Sequence, residues 1–523
     1  MRLVGVAAVV LLVSAMGATA AVARVVSGTP GPDRLVGTPR ADAVRGLAGN
    51  DRLLGLAGGD FLQGGAGRDT VDAGPGNDLV AVSYDGARDT VRCGSGSDVV
   101  NADAEDAVRG DCELVGRRLS RDPYTSGDAQ HETEVEPDSF TFGRTTVATF
   151  QVGRRVEGAA TNVGYAVTTN DGATWRSGLL PGLTVASNPA GTNERASDPV
   201  VAYDAAHGTW LISTLALEDG VTRLAINRSP DGATWSSALA AAEETASGGE
   251  EAIGFDKNWI ACDNTPTSPF YGRCYLVYTH SAARDMLAVT WSTDGGSTWS
   301  LPVDIGARPG VGVFPTIRPT GELVVGYLWE TNPSAIAASR SADGGASWGA
   351  PVRIADVRNT CAIRGFRAFP LPAADVDRTG RIWATWHDCV PGGSTNSVYV
   401  ATSDDGISWT APTTATRGRN AVLPAIGVDP GSGRVAIAYM RSGAAGVDVE
   451  LVELQGAANG FGAPRRLSAQ SMPFQWMPNT TSGRMLGDYI SVHYARSRPL
   501  VVWVLASEPV RASFRQAVYA TRG

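Results

Sequence analysis

The stretch "GNDRLLGLAGGDFLQGGAGRDTVDAGPGND", Gly49 to Asp78, places an aspartate every nine residues with glycines between. A helix does not tolerate this glycine density, and a strand, whose side chains alternate with a period of two, does not keep a period of nine. Outward from this stretch the series runs through Asp33, Asp42, Asp51, Asp60, Asp69 and Asp78, and after a two-residue insertion through Asp89 and Asp98. Two positions after each aspartate comes an aliphatic residue: Leu35, Val44, Leu53, Leu62, Val71, Val80, Val91 and Val100. A glycine-rich solvated linker, the plain alternative, does not account for this shared register.

The best copy, "GGAGRDTV" at Gly64 to Val71, resembles the repeats-in-toxin nonapeptide. Copies vary: Asp42 has Arg40 and Asp89 has Ala87 where Asp51, Asp60, Asp69 and Asp78 have a glycine two residues before. The resemblance implies a parallel β-roll with calcium between its turns, Ca2+ as the cofactor, and the eight aspartates as its ligands. The physics agrees: each repeat is a glycine turn and a short strand whose aliphatic residue points inward. Aspartates stacked one rung apart repel unless a hard cation intervenes. On this reading calcium stands in for a missing core. Cys93 replaces a turn glycine, and "DAEDAVRGDCELV" reads as a terminal rung capped by a Cys93–Cys112 bridge.

A chain of 523 residues is too long for one core, and 63 glycines with 29 prolines point to turns and strands. The fold class is therefore all-β. The opening "MRLVGVAAVVLLVSAMGATAAVA" has Arg2, an apolar run and Ala-x-Ala sites ending at Ala20 and Ala23, the features of a secretory signal over 1–23; an uncleaved anchor is the alternative. No later stretch suits a bilayer, and the terminal "RQAVYATRG" carries no apolar tail, so a secreted, monomeric, extracellular protein without stable membrane insertion is expected. Six cysteines fit an oxidising compartment, and their spacings favour Cys93–Cys112, Cys262–Cys274 and Cys361–Cys389 over thiol metal binding, since no Cys-x-x-Cys pair exists. The net charge is −9, the only lysine is Lys257, and the arginines form no basic run, which argues against a nucleic-acid partner.

After the polar segment 117–130 a second pattern begins. "TTNDGATW", "SPDGATW", "STDGGSTW", "SADGGASW" and "TSDDGISW" end at Trp175, Trp235, Trp299, Trp348 and Trp409, at intervals of 60, 64, 49 and 61 residues. These resemble Asp-boxes, the bacterial neuraminidase repeats, whose aspartate caps a hairpin turn while its tryptophan seals the neighbouring blade. The intervals hold four short strands each, a β-propeller pattern. The expected organisation is a signal peptide 1–23, a calcium-binding β-roll 24–116, a linker 117–130 and an Asp-box propeller 131–523. Candidate inner-strand starts are Glu136-Pro137, Asp198-Pro199, Asp256-Lys257, Phe314-Pro315, Phe369-Pro370, Leu423-Pro424 and Asp488-Tyr489, which favours seven blades, with six possible. The sixth lacks its box, and an amino-terminal strand is expected to complete the seventh.

The boxes cover most of 131–523 and resemble the sialidase superfamily, which includes many non-enzymes. The superfamily's opening Phe/Tyr-Arg-Ile-Pro motif is absent. Arg364, Arg367 and Arg484 lie just before inner-strand starts, and Tyr489 in "GDYISV" is loosely similar to the setting of the family nucleophile. Four of the seven starts carry acids, Glu136, Asp198, Asp256 and Asp488, in blades adjacent in a closed ring; Phe314, Phe369 and Leu423 make the other half apolar. With Tyr489 and Arg367 these acids form the candidate catalytic set. Two carboxylates can serve as the acid and base of a glycosidase, or the acids can cap turns and tie blades together. Two functions follow: a propeller that binds an extracellular glycan or protein ligand, or an exo-acting, sialidase-like glycoside hydrolase.

Overall fold

The computed structural model describes residues 24–523 apart from 126–127, 246–253, 284, 308, 359–360, 362, 417, 457–459 and 511–512; the expected signal, 1–23, lies outside the described residues. The chain is all-β: two 3-10 turns, Ser281–Ala283 and Phe474–Trp476, are the only helical elements among the described residues. None of these is long and apolar enough to cross a membrane. The chain divides into two compact units: residues up to 115 with 443–448 and 468–473, and residues 116–442 with 449–467 and 474–523.

The first unit is a roll of two parallel sheets. Arg24–Ser27, Asp42–Ala48, Phe61–Ala66, Leu79–Val82 and Val99–Ala102 form one; Arg34–Val36, Arg52–Leu54, Thr70–Asp72, Thr90–Arg92 and Ala107–Val108 form the other. Pairs such as Val26↔Val44 and Leu35↔Leu53 are 18 residues apart, so two nine-residue repeats make one full turn. The insertion widens the offset to 20 residues at Thr70↔Thr90 and Leu79↔Val99. All eight aliphatic residues are buried in one column between the sheets. The expectation of a missing core is thereby corrected: the column is a narrow core, because a parallel stack places every repeat's inward residue on the one before. Leu47 and Leu56, at left-handed φ of +79° and +82°, occupy turn positions that Gly65 and Gly74 fill in later repeats.

In the second unit, antiparallel strands follow one another in groups of four. Glu134–Phe142, Thr145–Arg154, Ala160–Thr168 and Arg176–Leu179 form the first group; Arg195–Asp204, Thr209–Glu218, Val221–Ser229 and Leu239–Thr245 form the second. The third to sixth groups begin at Phe255–Cys262, Gly310–Ile317, Ala373–Val376 and Ala421–Val428. The last comprises Ser491–Ala495, Arg498–Val510 and Ser513–Arg522, with Gly116, Arg117 and Arg118 pairing antiparallel to Thr521, Ala520 and Tyr519. The first strands of successive groups lie side by side, and Ser491–Ala495 returns to Glu134–Phe142, where Ser139 and Ser491 Oγ are 2.9 Å apart, so the series closes on itself.

The five tryptophan-ended turns share one geometry. In the third, Asp294 accepts the backbone amides of Ser297 and Thr298 (both 2.9 Å) and the Thr298 hydroxyl (2.6 Å). Burial opposes its ionisation, but these bonds outweigh it and hold the carboxyl at about 2. Asn170 does the same in the first turn, accepting the Thr174 amide at 2.9 Å. Trp299 packs on a core that includes Leu211, Leu276 and Ala288, and so joins its own strands to the preceding group. The three disulfides, Cys93–Cys112, Cys262–Cys274 and Cys361–Cys389, form as the spacings suggest.

Candidate functional site

Two sites need separate description. In the roll, each aspartate follows a glycine turn, and its carboxylate reaches back one full turn. The backbone amides of Asp33, Asp42, Asp51, Asp60, Asp69 and Asp78 donate to Oδ1 of Asp51, Asp60, Asp69, Asp78, Asp89 and Asp98 at 2.7–2.8 Å. Those six acceptors keep Oδ2 buried with no hydrogen-bond partner. Asp33 and Asp42 differ: Thr29 donates its amide (2.6 Å) and hydroxyl (2.8 Å) to Oδ2 of Asp33, and the Thr38 amide donates to Asp42. The ladder continues past the nine-residue period, with the Asp89 amide on Asp106 and the Asp98 amide on Glu113, both at 2.9 Å. Sequence spacing missed these two acids because the intervals there are no longer nine or eleven.

The turn backbone leaves no room for a side chain beside three of these oxygens, whereas Ala73, Tyr84 and Cys93 stand at the equivalent position before Asp78, Asp89 and Asp98. A Cβ at Gly46, Gly55 or Gly64 would lie 2.4, 2.5 or 2.4 Å from Oδ2 of Asp51, Asp60 or Asp69. Burial is the main cause pushing Asp60 and Asp78 up to about 7 and Asp89 up to about 8; the donated amide opposes it and neighbouring carboxylates add to it. Among the described residues no three or more acidic, histidine or cysteine side chains are grouped closely enough to hold a metal ion by themselves. Single buried carboxylate oxygens beside turn carbonyls nevertheless suit a hard, oxygen-seeking cation.

In the second unit the first strands of the groups converge on a partly open cavity of about 50 Å³. One local device sets its lining. Near the start of these strands the pairing register shifts, and the bulged residue is left-handed: Glu136 (φ +53°), Asp198 (+47°), Lys257 (+49°), Gly312 (+69°) and Leu423 (+51°). This register corrects three expected strand starts. The third group presents Lys257, not Asp256, at the equivalent position; the fourth presents Gly312 two residues before Phe314. In the fifth, Leu371 lines the cavity while Phe369 is exposed. Proline falls within the bulge, directly after the left-handed residue, in the first, second and sixth groups, but not in the third or fourth, where it marks no bulge.

Lys257 changes the electrostatics. Asp488 was expected in an all-acidic half; instead its Oδ1 accepts Arg367 Nε at 2.7 Å, and its Oδ2 accepts Arg367 Nη2 at 2.5 Å and Lys257 Nζ at 2.6 Å. Burial opposes its ionisation, yet Lys257 and Arg367 hold its carboxyl well below the usual range. Lys257 Nζ is 3.7 Å from Asp198 Oδ2. The Ser197 hydroxyl donates to Asp198 Oδ1 at 2.9 Å and itself accepts Gln151 Nε2 at 3.0 Å; Gln151 also donates to Glu136. Burial first, then Asp198, pushes Glu136 up to about 8, against Lys257 and Arg154. Asp256 accepts the Lys257 amide at 2.9 Å and does not line the cavity. Tyr489 lines it, with its hydroxyl 3.3 Å from the Pro199 carbonyl and its ring 5.3 Å from that of Trp259.

Glu136, Asp198, Asp488, Arg367 and Tyr489 are therefore brought into one cluster, and Lys257, Gln151 and Ser197 complete it. Arg484 instead donates to the Met477 carbonyl at 2.6 Å. Asp138 ties neighbouring strands, accepting the Val201 amide at 2.9 Å. Apolar residues also line the cavity: Phe314, Leu371 and Leu423 are among them, and Trp259 packs on Phe314 with ring centroids 4.5 Å apart.

The family described as RTX calcium-binding nonapeptide repeat (four copies) matches residues 27–62 and 45–80. The roll thus contains calcium-binding repeats of that family. No curated protein matches the chain. Solved structures similar to it include the intramolecular trans-sialidase from Ruminococcus gnavus, 13% identical, covering 61% of this chain and 93% of its own with a TM-score of 0.43. The Penicillium chrysogenum alpha-L-arabinanase is 13% identical over 78% of this chain and 97% of its own, TM-score 0.41. The Trypanosoma rangeli sialidase is 13% identical over 65% and 58%, TM-score 0.41. Likeness at this level identifies no chemistry.

Proposed function

We propose that the chain is a secreted calcium-binding protein whose second unit is a seven-bladed, sialidase-like Asp-box propeller, and that its central cavity binds an extracellular glycan or protein ligand. Residues 1–23 would be the signal, 24–116 the roll, 117–130 the connection and 131–523 the propeller. The observation that carries the binding reading is a cavity whose lining combines the charged Asp198, Lys257 and Asp488 with the apolar Trp259, Phe314 and Leu371. In the roll, Asp51, Asp60, Asp69, Asp78, Asp89 and Asp98 would hold calcium, which supplies the charge that their unpaired oxygens lack.

Screening the calcium-loaded chain against immobilised glycans and extracellular proteins tests the binding reading. Leu371→Trp, which fills the cavity, is expected to abolish the signal; full retention would move the ligand elsewhere. One observation favours a second reading, glycoside hydrolysis. Glu136 is pushed up to about 8 while Asp488 is held ionised, and such a split separates an acid from a base. Turnover of a fluorogenic glycoside that disappears in Asp488→Asn would establish it.

A further inference from the structure

One carboxylate in the roll lacks a different partner from the rest. Asp51, Asp60, Asp69, Asp78, Asp89 and Asp98 each accept an amide at Oδ1 and keep Oδ2, the atom assigned above to calcium, unpartnered. Asp42 is the reverse: its Oδ2 accepts the Thr38 amide, and its Oδ1 is buried with no hydrogen-bond partner. The residue is only 3% exposed, so bulk water does not make up the deficit.

The repeat says where the missing donor belongs. In four rungs of the ladder the donor to Oδ1 is the backbone nitrogen 18 residues earlier: Asp33 for Asp51, Asp42 for Asp60, Asp51 for Asp69 and Asp60 for Asp78. For Asp42 that nitrogen belongs to Arg24, the first residue of the strand Arg24–Ser27 at the end of its sheet, and the strand register sets Arg24 directly beside Asp42. As a peptide amide it makes no bond to Oδ1. A peptide N–H has one hydrogen, fixed in the peptide plane. A terminal ammonium has three that rotate, and a positive charge to set against the buried carboxylate.

The sequence offers two processing points, after Ala20 and after Ala23. Only the second frees the nitrogen of Arg24. The first leaves it an amide and puts the new terminus three residues away, up to about 10 Å along an extended chain.

We propose that hydrolysis of the Ala23–Arg24 bond completes the roll, the α-ammonium of Arg24 donating to Asp42 Oδ1 and closing the open end of the carboxylate ladder. A signal peptidase adds water across the bond: Ala23 leaves as a carboxylate, and the nitrogen of Arg24 takes up a proton. The processed chain thereby gains an ion pair that its precursor lacks, and Asp42 is a capping acid rather than a calcium ligand. The inference rests on 1–23 being a secretory signal.

N-terminal sequencing of the secreted chain is expected to begin at Arg24. A start at Ala21 would overturn the inference while leaving secretion in place; a chain that keeps residues 1–23 would overturn both. The full chain is then released from a cleavable fusion with either Arg24 or Ala21 as its first residue, and both are studied loaded with calcium. Because Lys257 is the only lysine, the α-amine is the one other amine that an acylating reagent can read. It is expected to react at least about tenfold more slowly at Arg24 than at Ala21, and Asp42→Asn to abolish the difference. By calorimetry, the roll that begins at Arg24 is expected to melt at least about 4 °C higher than the one that begins at Ala21. Asp42→Asn should close that gap by lowering the Arg24 chain alone. Equal labelling rates or equal melting temperatures in the two unaltered chains would overturn the ion pair. So would an Asp42→Asn loss shared by both chains, which would return Asp42 to the metal. The first comparison alters no side chain, so a misfolded variant does not remove the test.

Discussion

Lys257 is the only lysine in the chain, and it stands where Asp256 was expected, between Asp488 at 2.6 Å and Asp198 at 3.7 Å. Burial alone would lower its amine, but the carboxylates around it outweigh that and hold it well above the ordinary lysine range. An amine-acylating reagent is therefore expected to leave Lys257 untouched in the native chain and to label it only after denaturation, as read by peptide mapping. Fast native labelling would contradict the buried ion pair. Glu136 gives a pH signature of definite sign. Its folded value of about 8 lies above the ordinary value of 4.5, so its contribution is full below about 4.5 and is lost as pH rises through 8. Asp488, held low, works oppositely: its contribution is present above the ordinary carboxylate value and disappears only in acid. Between pH 5 and 8, Glu136→Gln is accordingly expected to flatten a fall in denaturation free energy whose slope for one group is at most about 1.4 kcal/mol per pH unit. An identical slope in the variant would show that Glu136 does not titrate there. The sequence marked Glu136, Asp198, Asp488 and Arg367 as one group, but not the pairing that neutralises Asp488, which joins residues more than a hundred positions apart.

At the scale of elements, what could be read in advance was whatever repeats locally. The nine-residue period survives because each rung of the roll rests on the one 18 residues earlier, which forces aspartate, glycine and aliphatic residue into one register. The inner strands are less regular: Phe314-Pro315 resembles Glu136-Pro137, yet the equivalent position is Gly312, because in that strand the bulge lies before the phenylalanine and proline rather than at them. Gly64→Ala is expected to weaken calcium binding by more than tenfold, since its Cβ would sit 2.4 Å from Asp69 Oδ2, whereas Gly110→Ala, in open space, should change nothing. Equal calcium affinities by titration would remove Asp69 from the ligand set. In the tryptophan-ended turns, Trp299→Ala is expected to cost about 3 kcal/mol, the lower end of the range for a lost aromatic because Trp299 is only half-buried. Asp294→Ala should cost less, because it removes turn bonds without opening a cavity. A larger loss in Asp294→Ala by urea denaturation would reverse that ranking.

At the scale of the molecule, the two units rest on different physics. The closed series of antiparallel strands is held by apolar clusters between successive groups and by an ion-paired centre, none of which needs a metal. The roll has one narrow column of aliphatic side chains flanked by buried carboxylate oxygens without partners, so its stability is expected to depend on calcium. A cation bound only to the folded roll at a hundred times its dissociation constant adds about 2.7 kcal/mol. In a unit of this size that shifts the transition by more than about 10 °C. Differential scanning calorimetry of the full chain, in saturating calcium and in chelator, is the most direct measurement. The expected result is one transition that falls by more than about 10 °C on chelation beside a second that stays in place. Thermograms that superimpose with and without calcium would contradict the account.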